Sequence, residues 1–155
     1  MTDLFLRNAD WLITVDSERR IFTDGAVAIE GGRVVAVGKT RDLEAAHGSA
    51  RRVVSARGKV VLPGLIDCHI HTAFQLSRGL ADEVSAAKFL FERMYPYEGL
   101  LTEEDNYWSA KLCSLELLRN GVTTFIDAGN YYPQQTARAV GESGQRCVVD
   151  RKSVV

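Results

Sequence analysis

Leu62-Pro63-Gly64-Leu65-Ile66-Asp67-Cys68-His69-Ile70-His71 is the stretch on which the reading of this chain turns. An apolar run ends in two histidines separated by one residue. In a β-strand successive side chains alternate faces, so Asp67, His69 and His71 are expected to project one way and Ile66, Cys68 and Ile70 the other. Two imidazoles on one face, about 6–7 Å apart along the strand, can close on a single divalent metal. Taken alone, a His-x-His pair is equally a strand that happens to carry two histidines. The chain has only three histidines, and two of them stand at this strand end.

Downstream of Leu62 the pattern alternates strand and helix, the signature of a parallel α/β sheet or barrel. A first strand over about Gly64–His69 is followed by a helix near Val84–Tyr95, which Pro96 is expected to stop. Thr102 offers an N-cap, with Glu103, Glu104 and Asp105 in the first turn of the next helix. Trp108, Leu112, Leu115 and Leu118 recur at helical spacing along it and predict the face that packs on the sheet. Asn120-Gly121 ends that helix. A strand over Thr123–Asp127, a helix from Pro133 to about Glu142, a break at Ser143-Gly144 and a third strand at Arg146–Val149 complete the series.

Upstream, residues 1–61 read as short strands: Leu4–Arg7, Trp11–Val15, Ala26–Glu30 and Arg33–Val37, then Arg52–Ser55 and Lys59–Leu62. Turn signals separate them at Asn8-Ala9-Asp10, Asp24-Gly25 and Gly31-Gly32. Glu30-Gly31-Gly32-Arg33 predicts a tight hairpin, because glycine accepts positive φ. One helical turn is expected at Asp42–His47, with His47 in solvent. An open sheet edge in so small a segment is an aggregation hazard.

Composition bounds the function classes. Hydrophobic residues make up 46% and charged residues 25% of the 155, an ordinary globular balance. The formal net charge of −1 gives no electrostatic pull toward nucleic acid or a membrane, and the cluster Arg146, Arg151, Lys152 is too small to argue for nucleic acid. No stretch approaches the roughly 18 apolar residues of a membrane span. Asp3, Arg7 and Asp10 interrupt any signal-peptide core. Cys68, Cys113 and Cys147 form neither a disulfide framework nor a Cys-x-x-Cys thiolate site, so a cytoplasmic setting is the expectation.

Four ordered motifs carry a family resemblance. Pro63 to His71 resembles the first barrel strand of the amidohydrolase superfamily, metal-dependent hydrolases on a (β/α)8 barrel. Ser77-Arg78-Gly79-Leu80-Ala81-Asp82 is similar to the segment that follows that strand in the branch of methylthioadenosine/S-adenosylhomocysteine deaminases and triazine hydrolases. Pro96-Tyr97-Glu98 with Leu101-Thr102-Glu103-Glu104-Asp105 resembles the next segment, and Gly121-Val122-Thr123-Thr124-Phe125-Ile126-Asp127 the second strand. One departure is Ile70, where the family often has Thr between the histidines. The resemblance implies an N-terminal part of a small β-sandwich over residues 1–61 and the first strands and helices of a barrel over 62–155. A complete barrel needs at least roughly 200 residues, so the barrel is expected to be incomplete here and the chain to be the N-terminal portion of a longer enzyme.

The same resemblance implies the chemistry. His69 and His71 become metal ligands for one divalent ion, zinc first and iron second, with a further His and an Asp from later strands beyond Val155. Glu98 and Arg151 become substrate-contacting residues. Glu98 reads equally as a solvated loop carboxylate, and the sequence departs from the family pattern directly after Arg151. By position alone, and not from the resemblance, Asp67 reads equally as orienting one histidine through a hydrogen bond or as capping the strand end, and Asp127 as doing the same or capping the next loop. The implied reaction is hydrolytic deamination of a small nitrogen heterocycle (purine nucleoside, base or triazine), with no catalytic base inside the chain and the isolated chain inactive. Two alternatives remain open: a binuclear cyclic amidase, which leaves the Glu98 match unexplained, and an inactive fragment or interaction module. Homo-oligomerisation is left open.

Overall fold

The computed structural model describes residues 1–150 and the backbone of Arg151. The chain divides after Pro63 into two compact units, each of which is described by itself.

The first unit is built from strands β1 (Leu4–Ala9), β2 (Trp11–Ile13), β3 (Ile21–Phe22), β4 (Gly25–Glu30), β5 (Arg33–Lys39), β6 (Arg52–Ser55) and β7 (Val60–Val61), with helix α1 (Thr40–His47) after β5. They form a four-stranded sheet in the order β5-β4-β1-β6 and a three-stranded sheet in the order β3-β2-β7. The β4–β5 turn is the two-residue hairpin that the glycines predict. Glu30 pairs with Arg33, and Gly31 and Gly32 take φ of +56° and +73°, the geometry whose twist matches that of the strands. Phe5, Ala26 and Ala28 form the buried core, with Ala36, Leu43 and Ala50 against it. One large ring among alanines lets the helix lie close to the sheet. His47 is not in solvent as expected: it is half-buried, its Nδ1 is 2.8 Å from Thr2 Oγ1, and its ring is 6.2 Å from that of Phe5.

The second unit runs β8 (Leu65–Ile70), a 3-10 turn (Thr72–Ser77), a π-helical segment (Lys88–Met94), α2 (Tyr95–Leu100), α3 (Glu103–Arg119), β9 (Val122–Asn130), α4 (Pro133–Ser143) and β10 (Arg146–Arg151). The three strands are parallel in the order β10-β9-β8, as alternating strand and helix requires. The cap at Thr102 is a complete capping box: its hydroxyl accepts from the Asp105 N–H, and the Asp105 carboxylate accepts from the Thr102 N–H at 2.9 Å. At the other end of α4, Gly144 takes φ of +76°, the left-handed turn that ends many helices.

Two expectations fail here. Pro96 does not stop the preceding helix but lies in the first turn of α2. The Tyr95 N–H reaches back five residues to the Leu90 carbonyl, so the backbone switches from π to α spacing just where proline has no N–H to give. The Trp108, Leu112, Leu115 and Leu118 stripe is not the face that packs on the sheet. The buried residues of α3 are Asn106, Ser109, Ala110, Cys113 and Ser114, whereas Trp108 is 54% and Leu115 55% exposed. Small side chains bring α3 close enough to hydrogen-bond the 3-10 turn and α4, and large apolar ones would hold it off.

Candidate metal and substrate site

The histidine pair sits at the C-terminal end of β8, which edges the parallel sheet. Asp67 pairs with Phe125 and Ile70 with Asp127, so the stretch from Asp67 to Ile70 takes one residue more than its partner strand. This bulge breaks the two-residue period. Phe125 and Asp127 are fully buried, and Asp67 and Ile70, beside them, are half-buried. Asp67 therefore lies on the covered face, and the expectation that it projects with the histidines is corrected. Its carboxylate instead accepts the His69 N–H at 3.0 Å, which holds the bulge.

His69 and His71 remain together. Their ring centroids are 5.1 Å apart and edge to face. Imidazole nitrogens about 2.0–2.1 Å from one tetrahedral metal put ring centroids about 5 Å apart, so the pair fits a shared divalent ion in spacing and in donor type. His69 is exposed and His71 half-buried. No group of three His, Cys, Asp or Glu side chains among the described residues is placed to share a metal. Cys68 is exposed and Cys113 buried. Burial, reinforced by the negative charge of Asp127, pushes the Cys113 thiol up to about 12, so it is a poor source of thiolate.

A run of rings leads from the pair toward α2. His71 stacks on Phe74 at 5.1 Å, and Phe74 meets Tyr97 at 6.4 Å. Glu98 is the next residue, and it is 1% exposed. The reading of Glu98 as a solvated loop carboxylate is thus overturned: it is a buried group on a helix. Burial pushes the Tyr97 hydroxyl up from its ordinary range, and the Asp105 charge adds to this. Arg78, in the segment after β8, turns to α3, where its guanidinium pairs with Glu116 and donates to Gln75 Oε1 at 2.7 Å. Arg151 closes β10 by its backbone, and its side chain lies outside the described residues.

The sequence reading missed the network that anchors the strand end. Thr72, directly after His71, is fully buried. Its hydroxyl donates to Asp127 Oδ2, which also accepts from Asn130 Nδ2 at 3.1 Å, and Oδ1 accepts the Gly129 N–H at 3.0 Å. Since the one Thr72 proton goes to Asp127, the 3.1 Å contact with Thr136 must be donated by Thr136. Thr136 Oγ1 in turn accepts from Asn106 Nδ2 and Asn130 Nδ2. The Thr72 carbonyl accepts from Ser109 Oγ at 2.7 Å. Side chain and backbone of Thr72 are therefore clamped from β9, α4 and α3, and His71 inherits the fixed backbone. Asp127 thus holds the residue beside the pair and, two residues on, the Gly129 N–H. The one legible signal was polar residues (Asn106, Ser109) on the less hydrophobic side of α3.

Known proteins resemble this chain along most of its length. Residues 60–155 match the amidohydrolase family, and residues 25–50 match an imidazolonepropionase-like composite domain of bacteria. A 5-methylthioadenosine/S-adenosylhomocysteine deaminase of Halothermothrix orenii is 36% identical over 149 residues, covering 96% of this chain and 34% of the relative. Among solved structures, an adenosine deaminase from Xanthomonas campestris with bound zinc superposes with a TM-score of 0.88 at 26% identity, over 95% of this chain and 33% of that one. A triazine hydrolase from Arthrobacter aurescens superposes with a TM-score of 0.82 at 26% identity, over 97% of this chain and 36% of that one. The chain thus spans about a third of the length of these relatives. Its mixed α/β fold, its histidine-ended strand and a match over most of its length establish that this chain belongs to the amidohydrolase family.

Proposed function

We propose that this chain is the N-terminal, metal-holding part of a hydrolytic deaminase of small nitrogen heterocycles: a purine nucleoside, a base or a triazine. The observation that carries the reading is the pair of imidazoles 5.1 Å apart at the end of a parallel strand, in a chain whose relatives include deaminases. On this reading residues 1–61 belong to a small β-sandwich and 62–155 open a (β/α)8 barrel. His69 and His71 hold one divalent ion, zinc in first place with iron the alternative. Such an ion supplies acidity to water, lowering its pKa toward about 7. The chain's own residues do the rest. Thr72 and Asp127 fix the strand end, the rings of Phe74 and Tyr97 shelter one side of His71, and Glu98 and Arg151 meet the polar part of the substrate. Two imidazoles are half a ligand set, so the isolated chain is expected to release no ammonia from any of these heterocycles.

The test is to titrate zinc into the 15N-labelled chain while recording the imidazole resonances. The His69 and His71 signals should move together and His47 should not, and His69→Ala should abolish the response of His71. Zinc that moves His47 alone, or neither member of the pair, overturns the assignment. Turnover by the chain that His69→Ala abolishes overturns the claim that the site is incomplete.

A further inference from the structure

The residues that end α3 carry a chemistry of their own. Asn120 closes the helix, and Gly121 follows it at φ of +81°, a left-handed turn that favours glycine because glycine has no Cβ. The same absence of a side chain leaves the Gly121 nitrogen unhindered to attack the amide of the asparagine before it. Of the four asparagines in the sequence only Asn120 precedes a glycine; Ala9, Tyr107 and Tyr131 follow the others. Asn120 and Gly121 are both exposed, and a Cβ built on Gly121 would meet nothing within 4 Å. Asn106 and Asn130 are buried, and their amides donate to Thr136. The attack uses only atoms of Asn120, Gly121 and water, so it needs no partner and no further part of a longer protein.

The folded helix end guards the pair. At the ψ of 9° that Asn120 holds, the Gly121 nitrogen is rotated away from the side chain it would have to reach. Asn120 Nδ2 donates to the Glu116 carbonyl at 2.8 Å, and the Gly121 N–H donates to the Leu118 carbonyl at 3.0 Å. The leaving nitrogen and the attacking nitrogen are therefore both tied to the last turn of α3. Helix ends fray, and local opening of that turn frees both at once. We propose that Asn120-Gly121 is a deamidation site of this chain, gated by fraying of the end of α3. In the open turn the Gly121 nitrogen bonds to Asn120 Cγ, and its proton passes through water to Nδ2. The Cγ–Nδ2 bond breaks, and ammonia leaves a cyclic imide. Water then adds to either imide carbonyl and opens the ring, to aspartate or to isoaspartate. Both products set a negative charge at the C-terminal end of a helix, where the dipole disfavours it. Isoaspartate also carries the main chain through Cβ and Cγ, one backbone atom more than before. The extra atom falls directly ahead of the Gly121 carbonyl, which accepts the Leu65 N–H at 2.8 Å where β8 begins to pair with β9. The isoaspartyl form thus loosens the start of the strand that leads to His69 and His71.

Incubation of the full chain at neutral pH in water enriched in 18O, followed by peptide mapping with mass spectrometry, tests this. The Asn120 peptide should take up 18O as it loses ammonia, while the peptides of Asn8, Asn106 and Asn130 stay unchanged. The folded chain should react more slowly than the chain unfolded in guanidinium chloride. Arg119→Gly should speed the folded reaction about fivefold, through lower helix propensity and loss of the cation at the helix C-terminus, and leave the unfolded rate unchanged. Asn120→Gln, whose longer side chain closes its ring far more slowly, should give no product. Backbone amide exchange supplies a second readout. Leu65 should lose protection in the isoaspartyl form and keep it in Asn120→Asp, which has the charge without the extra backbone atom. Folded and unfolded chains reacting at one rate, or Arg119→Gly leaving the folded rate unchanged, overturns the gating. No product at Asn120 in the folded chain while the unfolded chain converts overturns the site itself. Full protection of Leu65 in the isoaspartyl form overturns the coupling to β8.

Discussion

Thr72→Val asks how much of the second unit's stability rests on the clamp beside the histidine pair. The change keeps the branched shape and replaces a hydroxyl that both donates to Asp127 and accepts from Thr136. Two losses follow. Asp127 Oδ2 keeps only Asn130, and a hydrogen bond to a carboxylate is worth about 1.5–3 kcal/mol. The buried Thr136 hydroxyl loses its acceptor, and stranding a buried donor costs about 1–3 kcal/mol. Relaxation of the network recovers part of this, so about 2–4 kcal/mol is expected, a large share of a typical 5–15 kcal/mol. Thr72→Ser keeps both bonds and loses one buried methyl, costing about 1 kcal/mol. Because the chain has two units, one global transition is not assumed. Trp11 lies in the first unit and Trp108 in the second, so urea unfolding in a Trp11→Phe background follows the second unit alone. The valine variant should unfold at clearly lower urea than the serine variant, with the same slope. A valine variant as stable as the serine variant would refute the clamp, since methyl packing would then be all that Thr72 supplies.

Two further outcomes follow from local geometry. A Cβ on Gly64 would come within 2.7 Å of Thr123 Cβ and closer still to its Oγ1 and Cγ2; Thr123 is itself the extra residue where Leu65 pairs with Val122 and Ile66 with Thr124. Gly64→Ala should therefore cost about 1–3 kcal/mol by overpacking, and Thr123→Ala in the same chain should recover part of it, as read by urea unfolding of the second unit. The α3–α4 bridge should be acid-sensitive. The Lys111 ammonium, with the Tyr107 hydroxyl, holds the Glu142 carboxyl at about 2 against an ordinary 4.5. A carboxyl lowered in the folded state adds stability above its unfolded value, and that contribution fades as pH falls from 4.5 toward 2. The deficit of Glu142→Gln relative to wild type should therefore be full above that window and shrink through it. A deficit independent of pH would assign the role of Glu142 to packing.

The parts of the molecule set by near neighbours were legible in the sequence. Gly31-Gly32 specifies its hairpin because both turn positions need positive φ. Thr102 specifies a helix start because its cap partner, Asp105, is three residues away. Alternation of strand and helix after Leu62 specifies parallel pairing, and the spacing of His69 and His71 brings two imidazoles together even though the bulge moves Asp67 to the other face. The remainder depended on which element meets which. Helical spacing marks an apolar stripe on α3 but cannot say whether it faces the sheet. Tertiary contacts settled that, since Thr72, Thr136 and Asp127 need polar partners and close approach, and only the face of Asn106, Ser109 and Ala110 supplies both. Glu98 became a buried group, and Thr72 the anchor of the site, for the same reason. Burial and hydrogen-bond partnership are relations between residues far apart in the chain, and a one-dimensional pattern records only the residues.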